Sequence, residues 1–327
     1  MDEQPQKLLK VSVCIPAYKR PTTLRALLCA LEAQRFEQVP KPLWDVVIVD
    51  NDAAESARPT YREFADRGAL NIRYITEKKP GTTHVINTAF EATMHNADLL
   101  CVIDDDEVPC EHWLDELLRV QSQTKADCVC GPVRSILPLD APAWVRKGQF
   151  FATPDFPDAQ EPPSAGSGNM LVTCAFLRRT GLRFDPGLGL TGGADSLYFM
   201  QAKKQFQAKI VWAAKAFADE YVSPNRATVA WLIRRRFRVG NNLAQCERIV
   251  GAAPSKLIMR AIKGLGRIVQ GLCLLPFSAL FGKREIVYAL RSVAFGSGML
   301  SGLCGFMFEE YTPMRVEAER ACCQNAG

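Results

Sequence analysis

The sequence predicts an α/β fold, a doubly wound and mostly parallel sheet, followed by a C-terminal helical region that associates with a membrane. Three observations predict it. The runs "VSVCIPAY", "WDVVIVDND" and "LLCVIDDDEV" are apolar, partly β-branched, and end in polar residues. Helix-like segments separate them, as a parallel sheet covered on both faces requires. From about Trp231 onward, basic clusters alternate with apolar stretches.

A strand over residues 11–16 leads to a helix over about 22–34. The pattern repeats as strand 45–50, helix 57–67, strand 71–75, helix 83–95, strand 99–103 and helix 111–123. Pro21 falls at the start of the first helix, where a missing N–H costs little, and "PGTTH" supplies a turn before the helix that carries Asn87. "DCVCGPV" reads as one further strand. The Pro-, Gly- and aromatic-rich stretch from Leu137 to Gly168 reads as a long substrate-side loop. "GNMLV" and a helix after Thr173 follow, and then "GLGLTGGADSLYFMQAKKQ", a Gly-rich turn opening a helix with Asp195 at its start.

At 327 residues and 48% hydrophobic, the chain can bury a full core. Its division is expected to be a sheet domain over residues 1–230 and a basic and apolar helical region over residues 231–327. A formal net charge of +5 is too small to imply a nucleic-acid partner. Twelve cysteines and three histidines suit neither a disulfide framework nor zinc, because the spacing is irregular and no CxxC occurs; only "CVC" and the "CC" of Cys322 and Cys323 lie close. Cys14, Cys29 and Cys101 sit within apolar runs, where a reduced cysteine behaves as a small hydrophobe, which suits a reducing cytosol. The polar N-terminus "MDEQPQKLLK" has no signal-peptide core, so the sheet domain is expected on the cytoplasmic side.

Ligands of parallel sheets sit at the carboxyl ends of the strands, and there stand Asp104, Asp105, Asp106 and Glu107. With the chain extended past Ile103, alternation sends Asp104 and Asp106 to one side and Asp105 to the other. Two like charges on one side ask for a cation; the alternative is a solvated acidic turn. Beyond Ser255, the uncharged parts of "IVQGLCLLPFSALF" and "VAFGSGMLSGLCGFMF" fall short of the roughly 20 residues a spanning helix needs. Short apolar helices with basic flanks suit a segment lying in or dipping into the cytoplasmic face of a membrane. The alternative is a helical subdomain packed on the sheet domain.

Taken together, "VSVCIPAYKRPTTLRALLCAL", "VVIVDND", "CVIDDDEVP", "GNMLV" and "GGADSLYF" resemble, in order and spacing, the inverting family-two glycosyltransferases with a GT-A fold. The nearest likeness is to bacterial exopolysaccharide enzymes of the succinoglycan type. The resemblance covers roughly residues 10–240 and implies a nucleotide-sugar donor. It places Pro16, Ala17 and Tyr18 at the nucleobase, with core packing as the other reading of Tyr18. Asp50 would accept from the base N–H. Asp104 and Asp106 match the DxD motif, the first near the ribose and the last on a divalent Mg2+ or Mn2+ that neutralises the diphosphate leaving group; Asp105 is the alternative ribose contact. Asp195 aligns with the base that takes the acceptor's proton, against the plainer reading of an acid stabilising a helix start.

Two departures accompany the likeness. The family usually carries Glu-Asp where this chain has Ala194 and Asp195, and an Ala-Arg-Asn where it has Val85, Ile86 and Asn87. Arg234 and Arg235, in "RRRFR", fall where related synthases carry arginines near the diphosphate, and the same run also suits anionic lipid headgroups. QxxRW is absent, so single-sugar addition is expected. The implied reaction moves a sugar, with UDP as the expected carrier, to a lipid-linked saccharide at the cytoplasmic side of the inner membrane, the protein being peripheral or monotopic. A sugar nucleotidyltransferase and a degenerate nucleotide-sugar-binding scaffold are the rivals.

Overall fold

The computed structural model describes residues 8–154, 156–189 and 191–308; residues 309–327 of the expected helical region, with Cys322 and Cys323, lie outside them. In chain order the elements are β1 (Lys10–Ala17), α1 (Pro21–Glu32), β2 (Leu43–Asp50), α2 (Arg58–Arg67), β3 (Ile72–Thr76), α3 (Thr82–Thr93) and β4 (Leu99–Ile103). There follow β5 (Glu107–Pro109), α4 (Trp113–Thr124), β6 (Cys128–Cys130), β7 (Val133–Ile136), α5 (Ala143–Gly148), β8 (Asn169–Thr173), α6 (Cys174–Thr180) and α7 (Ala194–Phe206). The chain then runs through β9 (Ile210–Trp212), β10 (Ala218–Tyr221), α8 (Val229–Ile249), α9 (Pro254–Phe281) and α10 (Lys283–Leu303).

The main sheet has the order β3-β2-β1-β4-β8-β6-β9 and is parallel except for β8, which runs antiparallel to β4 and β6. Its two faces bury separate cores because side chains alternate along each strand. On β4, Leu100 and Val102 pack with α3, α6 and α7, whereas Leu99, Cys101 and Ile103 pack with α1 and α4. The strand order reverses between β1 and β4, which opens a crevice at their carboxyl ends.

Two sequence expectations are corrected here. "DCVCGPV" is not one strand: the chain breaks at Gly131 and Pro132, leaving β6 in the main sheet and β7 in a three-stranded sheet of order β5-β10-β7. Nor are the C-terminal helices short. The basic residues lie within them, so that α9 has 28 residues and α10 has 21, both long and apolar enough by length and composition to cross a membrane.

α10 lies between α8 and α9 and also packs on α5. Its close approach depends on glycines: a Cβ at Gly296 would strike the Gly264 backbone of α9, and one at Gly298 or Gly302 would strike Phe237 or Asn241 of α8. Tyr288 donates a hydrogen bond to the Gly148 carbonyl, tying α10 to the long loop. α9 buries only a narrow stripe that includes Gly264, Gly271 and Ser278. Its outer surface exposes Ile262, Leu265, Val269, Leu272, Phe277 and Leu280. The boundary expected after residue 230 falls in the first turn of α8. The far half of that helix joins the sheet core, with Cys246 in the cluster under α7 and Asn242 Nδ2 donating to Thr191 O at 3.1 Å.

Candidate active site

The crevice between β1 and β4 widens into a cavity of about 370 Å3. Pro16, Ala17 and Tyr18 line it from the end of β1, Asp104, Asp105 and Asp106 from the turn after β4, Asp195 from the start of α7, and Arg235 with Arg238 from α8. Asp50 and Arg234 are not on its wall. The Asp50 carboxylate is fully buried and takes up the turn after β2, accepting from the backbone N–H of Asp52 and Ala57 at 2.9 Å each and from the Tyr74 hydroxyl at 2.7 Å. Arg235, Arg238 and Asn242 share one face of α8, as residues three and four apart do; Arg234 is turned off that face and exposed.

The acids do not continue the strand. Asp104 opens a turn in which its carbonyl accepts from Glu107 N at 3.1 Å, so the extended alternation expected past Ile103 does not form. Asp105 turns inward and is buried: Tyr18 N donates to its Oδ2 at 2.9 Å and Arg20 Nη1 stands 2.8 Å from its Oδ1. Burial pushes its carboxyl up to about 6, with Arg20 and the Tyr18 N–H pulling the other way. The same Arg20 nitrogen is 2.9 Å from Asp106 Oδ2. Asp104 is held well above the ordinary carboxylate range by burial and then by the charges of Asp106 and Asp195. Gly168 makes this crowding possible, because a Cβ there would stand 2.7 Å from Glu107 Oε1 and 2.9 Å from Asp104 Oδ2.

These residues fit a hard divalent cation. The donors are carboxylate oxygens, the negative charge around Asp104 and Asp106 exceeds what Arg20 offsets, and Glu107 Oε2 is buried with no hydrogen-bond partner. Among the described residues no three His, Cys, Asp or Glu side chains form a complete cage. An ion held there would need phosphate and water oxygens to complete its shell.

Asp195 sits in the first turn of α7, where the helix dipole favours an anion. Ser167 Oγ donates to its Oδ1 at 2.7 Å. Burial raises the Asp195 carboxyl above its ordinary value, while Ser167 and the charge of Arg238 draw it back. Asp195 and the acids after β4 therefore face one space from different walls. A carboxylate with a raised proton affinity can accept a proton from a hydroxyl held between them.

Several lining residues carried no signal in the sequence. Arg20 lies in the loop after β1, 85 residues from the acid it pairs with. Asn51 Nδ2 donates to the carbonyls of Glu77 and Lys79 at 2.8 and 2.7 Å, and its Oδ1 accepts from Gly81 N at 2.9 Å, which fixes the loop leading into α3. Ser167 lies in "SAGSG", a stretch readable only as loop. The nearest hint was position: Asn51 stands between Asp50 and Asp52, and Arg20 two residues after Tyr18.

Residues 12–183 match the family model described as Glycosyl transferase family 2. The chain is 30% identical over 320 residues to the succinoglycan biosynthesis protein ExoM of Rhizobium meliloti (strain 1021), covering 95% of this chain and 99% of that protein. It is 27% identical over 140 residues to the glycosyltransferase AglE of Haloferax volcanii, 43% of this chain and 44% of the other. Among solved structures, the mannosyltransferase PcManGT from Pyrobaculum calidifontis, in complex with GDP-Man and Mn2+, is similar with a TM-score of 0.56 at 17% identity, covering 99% of this chain and 82% of that one. S. aureus TarS 1–349 in complex with UDP is similar with a TM-score of 0.52 at 15% identity, covering 92% and 93%. At such identities the likeness is one of fold, and the fold is GT-A.

Proposed function

Since the chain belongs to glycosyl transferase family 2, we propose that it is an inverting, divalent-metal-dependent hexosyltransferase of exopolysaccharide biosynthesis. It moves one sugar from a UDP-sugar to a saccharide carried on a membrane lipid. The observation that carries this reading is the facing of Asp195 and the Asp104–Asp106 turn across a single cavity at the β1/β4 crevice.

Pro16, Ala17 and Tyr18 form the shelf for the nucleobase, and Asn51 holds the loop beside it. Asp104 lies at the ribose side and Asp106 would hold the Mg2+ or Mn2+, with Arg235 at the diphosphate. When bound, that ion neutralises charge on the departing diphosphate. Asp195 accepts the proton of the acceptor hydroxyl as its oxygen attacks the anomeric carbon. The new C–O bond forms on the face opposite the breaking bond to the diphosphate oxygen, and configuration inverts. Ser167 orients the Asp195 carboxylate through its hydrogen bond. α9 rests its exposed apolar face on the cytoplasmic surface of the inner membrane, consistent with a lipid-linked acceptor.

The test is hydrolysis and transfer with a panel of nucleotide sugars and Mn2+. Slow release of UDP from one UDP-sugar, dependent on the ion, is the expected result. Binding of UDP-sugars without turnover, in the presence of membrane extracts carrying lipid-linked saccharides, would leave a nucleotide-sugar-binding scaffold.

A further inference from the structure

Three helices of the C-terminal region bring arginines into one neighbourhood: Arg236 of α8 packs on Phe295, one turn along α10 from Arg291, and Arg267 of α9 lies across from Ser292. The Arg236 guanidinium lies 4.0 Å from the ring centroid of Phe295 on α10, and that of Arg291 lies 4.8 Å from the ring of Phe150. Among the described residues neither forms an ion pair, and Arg291 Nε is buried without a hydrogen-bond partner. Arg267 of α9 reaches a neutral partner, Gln270 Oε1, at 3.1 Å, and its carbonyl accepts from Ser292 Oγ at 2.9 Å, which places its backbone against the residue that follows Arg291 in α10.

Holding like charges together costs free energy that the fold does not need to incur. Burial lowers Arg236 from its ordinary value, and Arg267 adds to the effect. Burial, then Arg236, draw Arg291 down to about 10. Such a group is relieved by a polyanion, and planar guanidinium forks match phosphate oxygens in pairs. Its position narrows the ligand further. Arg235, next to Arg236, lines the catalytic cavity, and Arg267 belongs to the helix whose outer face is apolar. The cations thus lead from the sugar-transfer cavity toward the lipid-facing helix.

We propose that Arg236, Arg267 and Arg291 form the seat for the diphosphate of the acceptor's lipid carrier, holding the saccharide toward Asp195 and the lipid toward α9. The assignment rests on the glycosyltransferase reading above, with a donor site separate from this seat.

Full-length protein and its Arg236→Gln/Arg291→Gln variant are compared for binding of farnesyl diphosphate, of UDP with Mn2+, and of phosphatidylcholine vesicles containing phosphatidylglycerol. The double variant is expected to bind farnesyl diphosphate about tenfold more weakly or worse, since charge-assisted hydrogen bonds are removed, with UDP and vesicle binding unchanged. Arg267→Gln, at an exposed position that does not endanger folding, is expected to weaken the same ligand several-fold. A matching loss of UDP affinity overturns the proposal in favour of the donor diphosphate. Loss of vesicle binding alone overturns it in favour of lipid headgroups; failure of the wild type to bind farnesyl diphosphate, or undiminished binding by the double variant, overturns it outright. If instead the wild type binds farnesyl diphosphate but no UDP with Mn2+, the UDP-donor reading fails while the diphosphate seat stands.

Discussion

Ser167 Oγ donates to Asp195 Oδ1 at 2.7 Å, and this bond is the largest of the contacts that offset the effect of burial on the Asp195 carboxyl. Burial raises the Asp195 carboxyl, and Ser167 stabilises the charged form that a base requires. Ser167→Ala therefore raises it further. The acid limb of the kcat/KM profile is expected to move to higher pH, with the rate on the alkaline plateau within a few-fold of wild type. A pH–rate series with either protein checks it; an unmoved acid limb would separate Ser167 from the base.

Asp195→Asn is expected to abolish transfer, because loss of positioned general-base catalysis costs about two to four orders of magnitude. UDP binding with Mn2+ should remain nearly intact, since the proposed nucleotide shelf is at the ends of β1 and β4, away from Asp195. Turnover with a lipid-linked acceptor at saturating donor, set beside calorimetry, reads both quantities. Survival of turnover within a few-fold would make Asp195 only a helix-start acid.

Asp106→Asn keeps the shape of the side chain and removes the charge that would hold a cation. Metal-dependent UDP affinity is expected to disappear, as measured by calorimetry with and without Mn2+. Unchanged metal dependence would discard the role given to Asp106 in the DxD motif.

Glu247 of α8 is buried and accepts from Arg260 of α9 through Nε at 2.9 Å and Nη2 at 2.6 Å, with Lys256 at 3.4 Å. Burial alone would raise its carboxyl, but the hydrogen bonds and charges of Arg260 and Lys256 bring it below its ordinary value. A depressed native value means the contribution is present above the unfolded value of about 4.3 and is lost as pH falls through the native one. Glu247→Gln is expected to cost about 2 kcal/mol at pH 7. In urea titrations, the gap from wild type should close on acidification.

The outer face of α9 is tested by substitution, because truncation after Asn242 would cut α8 and remove Cys246 from the core. Leu272→Asp with Phe277→Asp, both at exposed positions, should abolish flotation with anionic liposomes. The same variant should keep the thermal stability and UDP binding of the wild type. Undiminished flotation would move the membrane contact elsewhere.

Much of the sheet was legible because β1, β2 and β4 are buried on both faces and so read as continuous apolar runs. The small sheet was not: β5 has three residues and β10 reads "ADEY", without apolar alternation. α9 was misjudged in length because Lys263 and Arg267 interrupt its hydrophobicity without interrupting its helix. The carboxyl-end acids were visible as residues but their geometry was not. Whether Asp50 faces a ligand or a turn depends on Tyr74 and Ala57, and the posture of Asp106 on Arg20. Those partners are fixed by the fold, and no local pattern names them.

The glycines that seat α10 against both α8 and α9 bring the three helix backbones into close contact, which ties the apolar helix α9 to the cavity wall. α8, roughly 30 Å long at 1.5 Å per residue, carries that link to Asn242 and thence to the start of α7. Were α9 to lie on a bilayer as proposed, this packing would set the height of Asp195 above the lipid. On the proposed reading, a glycan whose terminal hydroxyl ended too near the lipid, or too far from it, would miss Asp195 whatever its sugar. A growing chain would be counted before it is recognised.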